Sequence, residues 1–178
     1  MERRRALAAV LAVGAVIGAV MVLFPSLSPL SSPPSITTAD SPSLDPSLPD
    51  PYDRAKGDPT AVIQVGDGEN GLPVRVWNDN PERRTVSIEL VHNRSGSTVV
   101  TRTETLPPSG TVRLEIRSPG GYLLNVTDES TGATGTYAVI PDHFDCNDRL
   151  ATVRINGTDI DSRMIQTAMG CGGIFALQ

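Results

Sequence analysis

The sequence predicts an all-β fold: an antiparallel β-sandwich over residues 60–178, preceded by one transmembrane helix and a disordered Pro/Ser-rich stalk. Three observations carry this. Apolar and polar residues alternate with period 2 through most of the C-terminal 119 residues, which buries one face of a strand and wets the other. Clusters of Gly, Pro, Asn and Asp separate these runs at short intervals, as turns do. The N-terminal part shows neither feature and divides into an apolar run and a proline-rich stretch.

In chain order, Arg3, Arg4 and Arg5 precede a 19-residue run, Ala6 to Phe24, with no charged or hydrogen-bonding side chain. As a helix it would be about 28 Å long, close to the ~30 Å hydrocarbon thickness of a bilayer. A secretory h-region is shorter, roughly 7–15 residues, and ends in an A-x-A-like site. Here the run ends in Phe24-Pro25-Ser26-Leu27, which favours an uncleaved signal anchor over a removed signal peptide. Residues 1–5 are then a cytoplasmic stub, and the chain beyond residue 24 lies outside the cell. Gly14 and Gly18 stand in G-x-x-x-G spacing, a candidate helix–helix contact; alanine and glycine are frequent enough in the run for chance spacing. A prepilin-like leader cut after Ala6 is the alternative, opposed by the Pro/Ser-rich stretch that directly follows.

Residues 25–59 hold nine prolines and eight serines. Their isolated leucines follow neither period, so the segment cannot bury enough surface to offset its ordering entropy. It reads as a semi-rigid spacer with an upper reach of about 110 Å at ~3.1 Å per residue.

In the C-terminal part Val86, Ile88 and Leu90 alternate with Ser87 and Glu89. Val112, Leu114 and Ile116 alternate with Thr111, Arg113, Glu115 and Arg117. Tyr122, Leu124 and Val126 alternate with Leu123, Asn125 and Thr127, and Ala151, Val153 and Ile155 with Thr152 and Arg154. Strands are expected at 61–66, 72–78, 84–92, 97–105, 111–117, 121–128, 134–140, 149–155 and 160–167. With no helical period between them, crossover helices are absent and a parallel sheet is excluded.

The series Val86-x-Ile88-x-Leu90, Leu106-Pro107-Pro108-Ser109-Gly110, Val112-x-Leu114 and Gly121-Tyr122-x-Leu124-x-Val126 resembles the central strands of immunoglobulin-like modules on prokaryotic cell surfaces. Its Gly-Tyr-x-Leu-x-Val element is similar to the strand that carries a buried corner tyrosine in such sandwiches. The resemblance covers residues 72–140 and implies an immunoglobulin-like β-sandwich. The antibody-type Cys…Trp…Cys core is missing: no cysteine pair joins the central strands and Trp77 comes early. One lysine, Lys56, stands against 14 arginines, and without Glu2 and Arg3 to Arg5 the chain keeps 12 basic and 19 acidic residues, a charge of −7. Such an acidic, lysine-poor composition resembles surface proteins of halophilic archaea.

The whole chain carries −5 with a pI near 4.9, which argues against nucleic acid as a partner. Two cysteines and two histidines exclude a disulfide-dense miniprotein and a multi-site zinc module. Cys146 and Cys171, both on the exterior side, are expected to form one disulfide. Closing that loop would contribute ~3.5 kcal/mol in the chain-entropy treatment. A blue-copper set would need a histidine after the ligand cysteine; none follows Cys146, so copper is rejected. The acidic groups Asp142/Asp145/Asp148, Asp159/Asp161 and Asp67-Gly68-Glu69-Asn70 do not match a twelve-residue calcium loop. No nucleophile elbow, phosphate loop or H-E-x-x-H helix is present. Catalytic, cofactor-binding and metal-ligating residues are therefore assigned to none, and no cofactor is expected. Three sequons, at Asn93, Asn125 and Asn156, are candidates for N-glycosylation outside the cell.

These readings lead to a non-catalytic, single-pass membrane protein of the cell surface, a binding or envelope interaction module. Its expected partners are the membrane and an envelope protein or glycan. Two rivals remain open: an enzyme or metal/electron carrier with an unrecognised site, and a pilin-like filament subunit.

Overall fold

The computed structural model describes residues 34–39, 48–52 and 58–168. The apolar run 6–24, with Gly14 and Gly18, and Cys171 lie outside the described residues. Among those described, no helix is long and apolar enough to cross a membrane.

The described residues hold ten strands: β1 (Ile36–Ala39), β2 (Ala61–Val65), β3 (Leu72–Asn78), β4 (Arg84–His92), β5 (Ser97–Leu106), β6 (Thr111–Ile116), β7 (Tyr122–Asp128), β8 (Ala133–Val139), β9 (Arg149–Asn156) and β10 (Asp159–Gln166). One turn of 3₁₀ helix, Pro141–Phe144, links β8 to β9. The strands form two sheets, ordered β1-β2-β6-β3-β9-β10 (sheet A) and β5-β4-β7-β8 (sheet B). Their inner faces share one core, the layering of a β-sandwich. Sheet A supplies Ile63, Val74, Val76, Leu114, Ile116 and Val153; sheet B supplies Val86, Ile88, Leu90, Leu106, Leu124 and Val126. Period 2 is plain in β4 and β7, where buried and partly exposed residues alternate.

The expectation of a wholly antiparallel sheet is corrected. Strands β2 and β6 run parallel from Ala61↔Val112 to Val65↔Ile116, and β3 and β9 run parallel from Val74↔Ala151 to Asn78↔Ile155. A parallel pair needs a crossover of a dozen or more residues, usually a helix. Here the chain passes through sheet B between the paired strands, so the opposite sheet supplies the crossover.

A second correction concerns the 25–59 segment. Ile36–Ala39 pairs antiparallel with β2, from Ile36↔Val65 to Ala39↔Val62. Asp50 and Tyr52 lie on the outer face of sheet A, where Asp50 pairs with Arg75 and Tyr52 donates to Asp161. A third correction follows at β6. Alternation places Thr111, Arg113 and Glu115 on a wet face, yet all three are buried, Glu115 completely. Glu115 accepts from Arg117 at 3.2 Å. A charged side chain is tolerated away from water when it is paired in this way.

Two features fix the loops. Tyr122, fully buried, donates its hydroxyl to the Ser118 carbonyl at 2.8 Å, tying the start of β7 to the turn before it. Asn78, also fully buried, donates to the carbonyls of Glu82, Leu106 and Pro107, while its Oδ1 accepts from Asn80. Asn80 in turn donates to Ile155 O and accepts from Gly157 N. Gly157, at φ +62°, opens the tight β9–β10 turn, a conformation that favours glycine.

Candidate functional site

Two surfaces stand out, one on each sheet, and they differ in chemistry. On sheet B most outward residues are polar, with the exposed Leu123 and its register partners Val91 and Ala138 an apolar row at one end. Because antiparallel strands place opposed residues side by side, register sorts them into rows. Thr103, Ser87, Thr127 and Thr134 form one row across β5, β4, β7 and β8; Thr101, Glu89, Asn125 and Thr136 form the next. Thr105 and Thr85 extend the face on one side. Neighbouring strands lie about 4.8 Å apart and same-face residues about 6.7 Å apart along a strand, so the hydroxyls make a regular grid. Hydrogen bonds tie it together: Thr85 to Thr105 at 3.4 Å, Ser87 to Thr103 at 3.3 Å, and Thr136 Oγ1 to Asn125 Oδ1 at 3.0 Å. Glu89 is the one ionisable residue in these rows; it accepts from Thr98 Oγ1 and Asn125 Nδ2, each at 3.2 Å.

On sheet A the outward residues of β3, β9 and β10 also fall into rows. Arg75, Thr152 and Arg163 are register partners, as are Trp77, Arg154 and Asp161. The Asp50-Pro51-Tyr52 segment lies across both rows. Its carboxylate pairs with Arg75 and accepts from Thr152 Oγ1 at 3.2 Å. The Tyr52 ring has the Arg154 guanidinium at 4.8 Å, that of Arg163 at 4.7 Å, and the Trp77 ring at 6.0 Å. Its hydroxyl donates to Asp161 Oδ1 at 2.8 Å. Burial, with the Asp161 contacts adding, pushes the Tyr52 phenol up to about 12. At neutral pH this hydroxyl is a donor, which matches the carboxylate opposite.

The residues singled out from the sequence are dispersed. Cys146 is exposed and disulfide-bonded. Asn93 sits in the β4–β5 turn and Asn156 ends β9, both exposed. Asn125 is partly buried, with both ends of its amide engaged by Glu89 and Thr136. His92 packs on Tyr122 with centroids 5.2 Å apart and shares a hydrogen bond with Ser95. His143 stacks on Tyr137; desolvation, with Arg149 next, lowers its pKa. In the acidic groups, Asp145 receives both Nη atoms of Arg149, and Asp161 receives Arg154 and Tyr52. A backbone hydrogen bond from Asn147 is the largest cause of the lowered Asp145 pKa. Among the described residues no group of three or more His, Cys, Asp or Glu is placed to hold a metal.

Neither row-built surface was found by motif reading, because each is assembled by register between distant strands. The signal for the sheet B face was present but dilute: Thr101, Thr103 and Thr105 alternate along β5. No protein-family model matches the chain, and no curated protein matches it.

Proposed function

We propose that this chain is a non-catalytic binding module of the cell surface, held by an N-terminal signal anchor, whose sheet B face grips a neutral glycan of the envelope. The observation that carries the reading is the outward grid of Thr101, Thr103, Ser87, Asn125, Thr127, Thr134 and Thr136, with Glu89 its one ionisable member. In a chain with 20% charged residues, a face this poor in charge repels neither an acidic nor a basic neighbour. Hydroxyls and amides both donate and accept, so they match a polyhydroxylated polymer, and a repeated grid lets weak contacts add along it. The module itself is read as immunoglobulin-like. Strands β3 to β8 pair as the second, third and fifth to seventh strands of that fold do, with β5 as the added strand beside the third. The buried corner tyrosine, Tyr122, supports the same reading.

The test is retention of the purified full chain on an uncharged envelope polysaccharide, compared with a Thr103→Lys/Thr134→Lys variant. These positions are exposed, so the variant should keep its fold. The intact chain is expected to bind saturably and the variant about tenfold more weakly or worse, a loss of about 1.4 kcal/mol. Equal retention of both, or none by either, overturns the reading.

A further inference from the structure

We propose that the outer face of sheet A is a peptide-binding site for an Asp-x-Tyr sequence, filled in cis by Asp50–Tyr52 and able to take the same segment from a second copy of this chain. The site is built for that sequence. One row, Arg75–Thr152–Arg163, offers a guanidinium and a hydroxyl to a carboxylate, and Asp50 uses both. The next row, Trp77–Arg154–Asp161, offers an aromatic wall, a second cation for a ring face and an acceptor for a phenol. Arg163 reaches across from the first row, so the ring of Tyr52 meets two cations. The side chains of Asp50 and Arg75 are only 7% and 12% exposed, so their charges meet in a site largely shielded from solvent.

The ligand is pre-shaped. Pro51 restricts the backbone, and the Tyr52 amide donates to Asp50 Oδ1 at 2.9 Å, which sets the two side chains side by side. The receptor groups that hydrogen-bond to the segment lie 25, 102 and 109 positions away in sequence. Nothing in the contacts requires that ligand and receptor belong to one chain. Asp-x-Tyr occurs once in the sequence, so the segment of another copy is the ligand certain to carry these groups. The tether gives the cis segment a high effective concentration; exchange therefore needs copies crowded together. This site lies on the opposite sheet from the glycan face and does not depend on that reading.

The experiment empties the site and refills it. The purified full chain carrying Asp50→Ala and Tyr52→Ala is titrated with a fluorescent synthetic peptide of residues 47–53, Ser-Leu-Pro-Asp-Pro-Tyr-Asp. Saturable binding to the emptied chain is expected, weaker by about tenfold in the intact chain where the cis segment competes. Adding Arg154→Ala and Arg163→Ala, or using a peptide with Asn for Asp50 and Phe for Tyr52, should abolish it. Mixing emptied and intact chains under different labels should give a mixed complex that the free peptide dissociates. An emptied chain that melts cooperatively yet binds no peptide overturns the site. Peptide binding without a mixed complex at any concentration overturns the second copy as its occupant. Should the double variant fail to fold, the Tyr52→Ser chain replaces it with the same outcomes.

Discussion

At the scale of single residues, a buried amide ties together the loops at one end of the molecule. Asn78 serves three carbonyls from two different loops and anchors Asn80, which holds the β9–β10 turn through Ile155 O and Gly157 N. Removing the amide takes a donor from the buried Leu106 carbonyl and the partly buried Glu82 carbonyl and takes its acceptor from Asn80, while Pro107 O keeps the Gly110 amide. Each buried group left unpaired costs roughly 1–3 kcal/mol. Asn78→Ala is therefore expected to lower stability by about 3 kcal/mol in a denaturant titration; a loss under about 1 kcal/mol would show that water replaces the amide. The tyrosines give a second residue-scale expectation. Burial raises all three, Tyr52 and Tyr137 to about 12 and Tyr122 in the same direction. A raised folded-state pKa means that the neutral form is preferred in the native molecule. Its contribution is complete below the ordinary 10.0 and is lost as pH rises through about 12. The near-ultraviolet tyrosinate signal of the folded chain should consequently lag that of the denatured chain. Because Tyr52 holds its segment to sheet A by donating to Asp161, the 50–52 segment should detach across the same interval. Coincident folded and denatured titration curves would contradict this.

At the scale of elements, the side of the molecule where β10 approaches β8 depends on one small residue. Ile160 on β10 reaches Gly135 on β8, where an added Cβ would lie 2.4 Å from Ile160 Cγ2. Gly135→Val should cost roughly 1–3 kcal/mol by overpacking. Combining it with Ile160→Ala should recover part of that loss, a coupling read from a double-mutant cycle; strict additivity would remove Ile160 as the cause. The same elements show what the sequence made legible. Nine of the ten strands were readable because alternation and turn residues are local signals: β4 announces itself through Val86, Ile88 and Leu90, and its end through Asn93 to Gly96. Strand β1 was not. Four residues, Ile36–Ala39, are too few to show a period, and their Pro/Ser surroundings suppress the reading. The outer face of β6 misled for another reason. Thr111, Arg113 and Glu115 obey the rule for a wet face, and whether that face is covered depends on tertiary placement that the strand does not encode. Parallel pairing of β2 with β6 was hidden likewise, since its crossover is the other sheet rather than a helix. Register-built surfaces are the extreme case, with every row drawn from distant parts of the chain.

At the scale of the whole molecule, the two sheets divide the electrostatic work. Sheet A keeps its charges paired beneath a segment of the chain, as with Arg75 and Asp50, whereas sheet B turns a nearly neutral grid outward. Among the described residues, exposed acidic side chains that add to the net charge of −5 stand in turns, such as Asp67, Glu69 and Glu129. Two effects then compete when salt is added. Exposed pairs such as Arg102–Glu104 and Arg154–Asp161 lose attraction, but such pairs are worth only about 0–1 kcal/mol each at the outset. The low-exposure pairs Arg84–Asp128 and Arg117–Glu115, with one carboxylate fully buried in each, are screened much less. Against these small losses stands relief of repulsion among the excess carboxylates, which a Debye length of about 3 Å near 1 M salt nearly removes. Relief should win. The thermal midpoint of the full chain is expected to rise steadily with sodium chloride up to about 1 M, and replacing Asp67, Glu69 and Glu129 with their amides should flatten that rise. A midpoint that falls with salt would mean that exposed ion pairs outweigh net repulsion, and the acidic turns would then have no part in holding the fold at high ionic strength.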